Sequence, residues 1–221
     1  MGSTPCSNDR SNDGSTPISS GRSCCNRCDP VASRRGRDPC PGAPRAEDVL
    51  IVYLTRTGNT KAVAEIIRNE VGGTMVRVEP ETPYPENYEK IVSQVDRENE
   101  RGYVPPLETT VENIQSYDVV FLGFPTWDLQ LPPPMKSFLH DHDLSGRTVI
   151  PFNTNGGYGV GSSFRTVDDL CPNSEIKEGF STRGGLERDG IYLAIKGERR
   201  NEVHAEVTDW LKRIQMTQPI D

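Results

Sequence analysis

Val49-Leu50-Ile51-Val52-Tyr53-Leu54-Thr55-Arg56-Thr57-Gly58-Asn59-Thr60 carries two signals in direct succession. The first half is an unbroken apolar run of strand length, rich in β-branched side chains, as in a strand buried on both faces of a parallel sheet. The second half is polar, with three threonines and one glycine. After it, Ala62, Val63, Ile66, Ile67 and Val71 recur at helical spacing, and Gly72-Gly73 stops the helix. The loop thus joins a strand to a helix N-terminus, where free backbone N–H groups and the helix dipole favour an anion. Thr55, Thr57 and Thr60 add hydroxyls, Asn59 an amide, and Gly58 lets the backbone approach closely. No lysine follows as in a nucleoside-triphosphate loop, and Arg56 is the one cation, which suits a single terminal phosphate monoester. The alternative is an ordinary threonine-capped helix start.

The same alternation continues outward. Residues 75–78, 118–123 and 148–152 read as further strands, and 175–180 as a fifth strand at an edge. Residues 83–100 form a polar surface helix with Tyr88, Ile91, Val92 and Val95 on one face. Shorter helices are expected at 135–140 and 162–170, and an amphipathic one closes the chain at 201–215, with Trp210 on its core face. Residues 190–196 fit either an extra strand or a hairpin arm. Strands alternating with helices predict an α/β fold, a three-layer α/β/α sandwich around a five-stranded parallel sheet. In such sheets ligands bind beyond the carboxyl ends of the strands.

The loops after the third and fourth strands are as distinctive as the first. Pro125-Thr126-Trp127-Asp128 places an indole just past a buried strand, where it either covers a flat ligand or packs on Pro132-Pro133-Pro134. Asn153-Thr154-Asn155-Gly156-Gly157-Tyr158-Gly159 offers amides, a hydroxyl, backbone groups freed by glycine, and one ring; a flexible turn is the plainer reading. Together the three loops describe a phosphate at one end and a flat heteroaromatic ring with hydrogen-bonding edges at the other, the shape of FMN. Backbone groups at Thr126, Asn155 and Gly156 are candidates for the ring's polar edge.

The sequence resembles the flavodoxin family over residues 48–215. Thr55-x-Thr57-Gly58-Asn59-Thr60 matches the family's phosphate loop, [ST]-x-T-G-x-T. Phe121 through Trp127 looks like its second flavin loop, and Phe152 through Gly157 like its third. The segment between strands two and three is similar to a bacterial subgroup with an added helix there. The resemblance implies strand order 2-1-3-4-5 and noncovalent FMN held by Thr55, Arg56, Thr57, Gly58, Asn59, Thr60, Pro125, Thr126, Trp127, Asn153, Thr154, Asn155, Gly156, Gly157 and Tyr158. Two positions depart from it. Asp128 stands where many relatives carry a second aromatic, and the third loop lacks the acidic residues of the low-potential carriers.

Flavin chemistry belongs to the cofactor, so no catalytic side chain and no metal are expected. Three functions stay open: a redox protein passing electrons through FMN to a partner protein, an NAD(P)H-dependent FMN reductase acting on quinones or similar acceptors, and an FMN-free interaction module. Arg165, Arg183 and Arg188 are the candidate handles for a pyridine nucleotide. His140-Asp141-His142-Asp143 reads as a solvated helix end, since neighbouring helical positions do not share a face. Cys171 reads as semi-buried and inert.

Composition divides the 221-residue chain. Every Phe, Tyr and Trp lies at Tyr53 or beyond, and residues 1–45 hold only Met1, Ile18 and Val31 as large apolar side chains. Such a segment cannot offset the roughly 1–2 kcal/mol of backbone entropy lost per ordered residue, so residues 1–45 are expected to be a disordered tail and 46–221 the domain. The tail has seven Arg and four Asp; the rest has 18 basic and 28 acidic residues. Cys24, Cys25, Cys28 and Cys40 have a spacing that zinc could use, but no histidine or apolar knuckle accompanies them. An alternative is that translation starts later, at Val31 or Val49. No apolar run reaches the roughly 20 residues of a membrane span, no secretory h-region is present, and the cytoplasm is the expected location. Nothing in the charge pattern calls for nucleic acid.

Overall fold

A computed structural model of the chain describes residues 44–217. The cysteine-rich segment and most of the expected tail lie outside the described residues.

Three of the six described strands, the central ones, follow from apolar runs that had to be buried. β1 (Val49–Tyr53) pairs in parallel with β2 (Thr74–Arg77) on one side and β3 (Val119–Pro125) on the other. β3 pairs with β4 (Thr148–Asn155), and β4 with the two-residue β5 (Glu175–Ile176), giving the order β2-β1-β3-β4-β5. The expected fifth strand is interrupted. After Lys177, whose N–H still donates to Val149 O at 3.0 Å, the chain leaves the ladder, and β6 (Phe180–Arg183) rejoins the same edge of β4, again in parallel. The interruption has a partner: the Trp210 indole N–H donates to Glu178 O at 2.9 Å.

Alternation along the strands sends side chains to two cores. Val49, Ile51, Tyr53, Phe121, Ile150 and Phe152 meet α1 (Asn59–Val71) and α5 (Gly197–Arg213), with Trp210 fully buried between Phe121 and Phe180. Leu50, Val52, Val120, Leu122, Phe124 and Val149 meet α3 (Pro133–Asp141) and the Val167 face of α4 (Ser163–Leu170). Helices on both faces make the expected α/β/α sandwich. Gly123 is set by this packing, because a Cβ there would lie 2.1 Å from the Phe152 ring.

α2 (Tyr88–Arg101) is the added helix between β2 and β3, capped by Asn87, whose side chain accepts from Lys90 N at 3.0 Å. α5 starts four residues before the expected Asn201. Residues 190–196 form neither a strand nor a full hairpin arm. One isolated antiparallel bridge, Leu186 to Ile191, is followed by irregular chain leading into α5. No described helix is long and apolar enough to cross a membrane.

Candidate functional site

The three loops lie at the carboxyl ends of β1, β3 and β4, on one end of the sheet. In the first, Gly58 is the N-cap of α1 with φ 85°, a left-handed conformation that glycine adopts freely. This turn leaves the amides of Asn59, Thr60 and Lys61 as the opening donors of the helix, with no carbonyl four residues back inside it. Gly58 N itself donates to Thr55 Oγ1 at 3.1 Å. Thr57 Oγ1 accepts from Asn59 Nδ2 at 2.8 Å. Both hydroxyls are acceptors in these bonds, so their protons stay free to donate to a ligand. Thr60 Oγ1 is tied to Thr154 Oγ1 at 2.9 Å, joining the first loop to the third.

Two residues of this loop are committed to the protein. Asn59 Nδ2 also donates to Tyr192 O at 2.6 Å, while its Oδ1 accepts from Ala194 N and Ile195 N at 2.9 and 3.1 Å. Arg56 Nε donates to Glu187 Oε2 at 2.7 Å, Nη1 to Pro85 O at 2.7 Å, and Nη2 to Glu86 O.

The second and third loops are bound to each other. Thr126 N donates to Thr154 O at 3.0 Å and Thr126 Oγ1 to Gly159 O at 2.9 Å. Asn153, fully buried, donates to Phe124 O and Thr126 Oγ1. Asn155 Oδ1 accepts from Gly157 N and Gly159 N, which shapes the glycine turn. Tyr158 is exposed; its phenol oxygen accepts from Arg188 Nη1 at 2.9 Å, and that guanidinium lies 5.9 Å from the ring centroid. Trp127 is partly buried against the hydrophobic core. It meets Tyr84 edge-on, with centroids 5.1 Å apart. Tyr84 is fixed in turn by donating to the buried carboxylate of Glu98 at 2.5 Å, and Gln94 Nε2 donates to the other oxygen at 2.8 Å. Burial, reinforced by Glu98, pushes the Tyr84 phenol up, so it remains a donor at any ordinary pH.

These elements enclose a cavity of about 400 Å³, within the usual range for small-ligand sites. Arg56, Thr57, Asn59 and Thr60 of the first loop line it together with Pro125, Thr126 and Trp127 of the second and Thr154, Asn155, Gly156 and Tyr158 of the third. Of the expected residues, Thr55, Gly58, Asn153 and Gly157 are not part of the lining. Two walls were not anticipated as part of the site. Tyr88, Ile91, Val92, Val95 and Asp96 of α2 form one, and Gly184, Gly185, Leu186 and Glu187 the other; Asp128 also lines the cavity. The helical spacing of the α2 residues was visible in the sequence, but not what they face. The lining among the described residues contains no Ser, Cys, His or Lys. It can bind, stack and exclude water.

The remaining candidates stand apart. His142 stacks on Phe138 at 4.2 Å, with its Nε2 accepting from Val111 N and its Nδ1 at 3.0 Å from Phe138 O. Cys171 is buried, and burial pushes its thiol up to about 11. Arg165 is an exposed residue of α4 outside the cavity.

Comparison with known proteins bears on the family and the fold. A profile described as Flavodoxin matches residues 48–195. The chain is 27% identical over 149 residues to a flavodoxin of Nostoc sp., covering 66% of this chain and 73% of that one. It is 23% identical over 184 residues to a flavodoxin of Picosynechococcus sp., covering 75% and 94%. Among solved structures it superposes on a protein described as a flavoprotein from Bacteroides eggerthii with TM-score 0.61 and 29% identity, over 76% of this chain and 97% of the other. A flavoprotein from Lactobacillus acidophilus, solved in complex with FMN, shares the fold at TM-score 0.54 and 20% identity, over 62% and 93%. The chain belongs to the flavodoxin family.

Proposed function

We propose that this chain is a redox protein that binds FMN noncovalently in the cavity and passes electrons through it. The observation that carries the reading is the make-up of that cavity's lining. It combines the start of α1, with its free amides and the free hydroxyl proton of Thr57, with an indole and a phenol ring. A dianionic group suits the helix start, and a flat ring suits the aromatic side chains. Thr57 and the amides at the start of α1 would hold the phosphate, with Thr55 supporting the turn through Gly58 N. Trp127 and Tyr158 would flank the ring, with backbone groups at Thr126, Asn155 and Gly156 at its polar edge. Bound FMN supplies one-electron and hydride chemistry. The protein's own work is to hold Trp127 through Tyr84 and Glu98 and to close α2 over the site.

A specific observation favours a reductase as the second reading. Arg188 sits on Tyr158, and the Arg183 guanidinium lies along the Gly157 turn, 3.5 Å from where a Cβ would stand. Two guanidiniums beside an exposed ring at the mouth suit the phosphates of NAD(P)H. The test is an anaerobic visible spectrum of the FMN-loaded protein before and after NADPH. Bleaching by NADPH alone supports the reductase. A spectrum that stays oxidised until a separate reductase is supplied supports a carrier. Failure to retain flavin removes both and leaves the interaction module.

A further inference from the structure

Arg56 is the natural choice for a phosphate counter-ion, being the one cation of the first loop. Its geometry serves another purpose. The guanidinium forms an ion pair with Glu187 at 2.7 Å, and the two side chains are only 18% and 16% exposed. The two charges are opposite and in contact, so together they offer little net field to an anion. The other two nitrogens bond the carbonyls of Pro85 and Glu86. Those residues directly precede the Asn87 cap of α2, and Glu187 belongs to the opposite wall of the cavity. One planar fork therefore joins the phosphate loop to both walls.

We propose that Arg56 is a positioning residue that braces the two walls of the cavity, and that it does not act as the charge partner of the ligand's phosphate. This rests on the FMN-binding reading above. FMN and riboflavin share the ring and differ in the phosphate, so their affinity ratio separates the two roles. The test is flavin-fluorescence titration of both ligands against the full chain and the variants Arg56→Met, Arg56→Lys and Glu187→Leu.

The brace predicts that Arg56→Met weakens FMN and riboflavin alike, by about tenfold, with their ratio unchanged. Arg56→Lys keeps the charge but cannot reproduce the fork, so it behaves like Arg56→Met. Glu187→Leu, which frees the Arg56 charge, also weakens both. A counter-ion predicts the reverse: FMN alone weakened by Arg56→Met, near-native binding by Arg56→Lys, and tighter FMN in Glu187→Leu. Any of these three results overturns the proposal. Hydrogen exchange without flavin gives an independent arm. Amides of residues 86–91 and 186–191 should exchange faster in Arg56→Met while the amides of α5 keep their protection, and unchanged exchange in both segments refutes the brace. If the wild-type chain binds neither flavin, the FMN reading falls, and this exchange arm alone decides on the brace.

Discussion

Replacing Asn59 by alanine should cost about 3 kcal/mol of stability. The side chain is almost fully buried and makes four hydrogen bonds, three of them to the backbone of residues 192–195. The costs are unequal. Ile195 is 1% exposed, so its amide cannot turn to water when Oδ1 is removed; an orphaned buried donor costs about 1–3 kcal/mol. Ala194 is only half-buried and Tyr192 is exposed, so each of those losses is nearer about 0.5–1 kcal/mol. Alanine returns a few tenths through helix propensity, since Asn59 is the first residue of α1. For a domain of this size the sum lowers Tm by about 9 °C. Urea unfolding followed by far-UV circular dichroism measures the free energy, and native-state hydrogen exchange reads the Ile195 amide directly. A loss below about 1 kcal/mol, or an Ile195 amide as protected as in the wild type, would refute the reasoning, because the loop would then be held by something other than this side chain.

Three further outcomes follow from the same geometry. Gly123→Ala forces a methyl to within 2.1 Å of the Phe152 ring and should cost about 3 kcal/mol by overpacking, measured by the shift in urea midpoint. Trp127→Ala should weaken FMN by about 2 kcal/mol, roughly thirtyfold in Kd, whereas Trp127→Phe should recover most of that loss in the same titration. Burial pushes the Cys171 thiol up to about 11 from 9.0, so the folded state keeps its proton longer than the unfolded state does. The associated stability is full below pH 9 and is lost as pH rises through 11. Peptide mass spectrometry after iodoacetamide at pH 8 should find Cys171 unmodified in the native protein and alkylated in urea.

The strands were legible where both faces are buried. The apolar runs of β1, β3 and β4 have one solution, a parallel sheet covered twice, and the register that places Gly123 against Phe152 follows from it. The break between β5 and β6 was not legible, since Lys177-Glu178-Gly179 differs little from its flanks in pattern. The partner holding it open, Trp210, is 32 residues away. The turn at Asp128-Leu129 was equally hidden. Both residues have positive φ, at 49° and 53°, and the usual signal for such a two-residue turn is Asn-Gly or Asp-Gly. α2 was read correctly as amphipathic, yet periodicity names a face without naming what it covers.

The site residues divide along a physical line. Loops that turn tightly around glycine leave backbone N–H and C=O groups without ladder partners, and buried groups of that kind must be satisfied. The polar side chains nearest to them answer that need first. Asn59 serves residues 192–195, Asn153 serves Phe124 O, Asn155 serves the amides of Gly157 and Gly159, and Arg56 serves Pro85 and Glu86. A motif reading assigns all four to the ligand because it sees only local composition, and their partners lie up to 136 residues away. What remains for a ligand is what the fold cannot use internally: the first amides of α1, the hydroxyl proton of Thr57, and the faces of rings. Those groups are neutral, directional and fixed before a ligand arrives. Affinity for a phosphate at this site should therefore fall little with salt, and a steep salt dependence of FMN binding would mean that a side-chain charge, not the helix terminus, holds it.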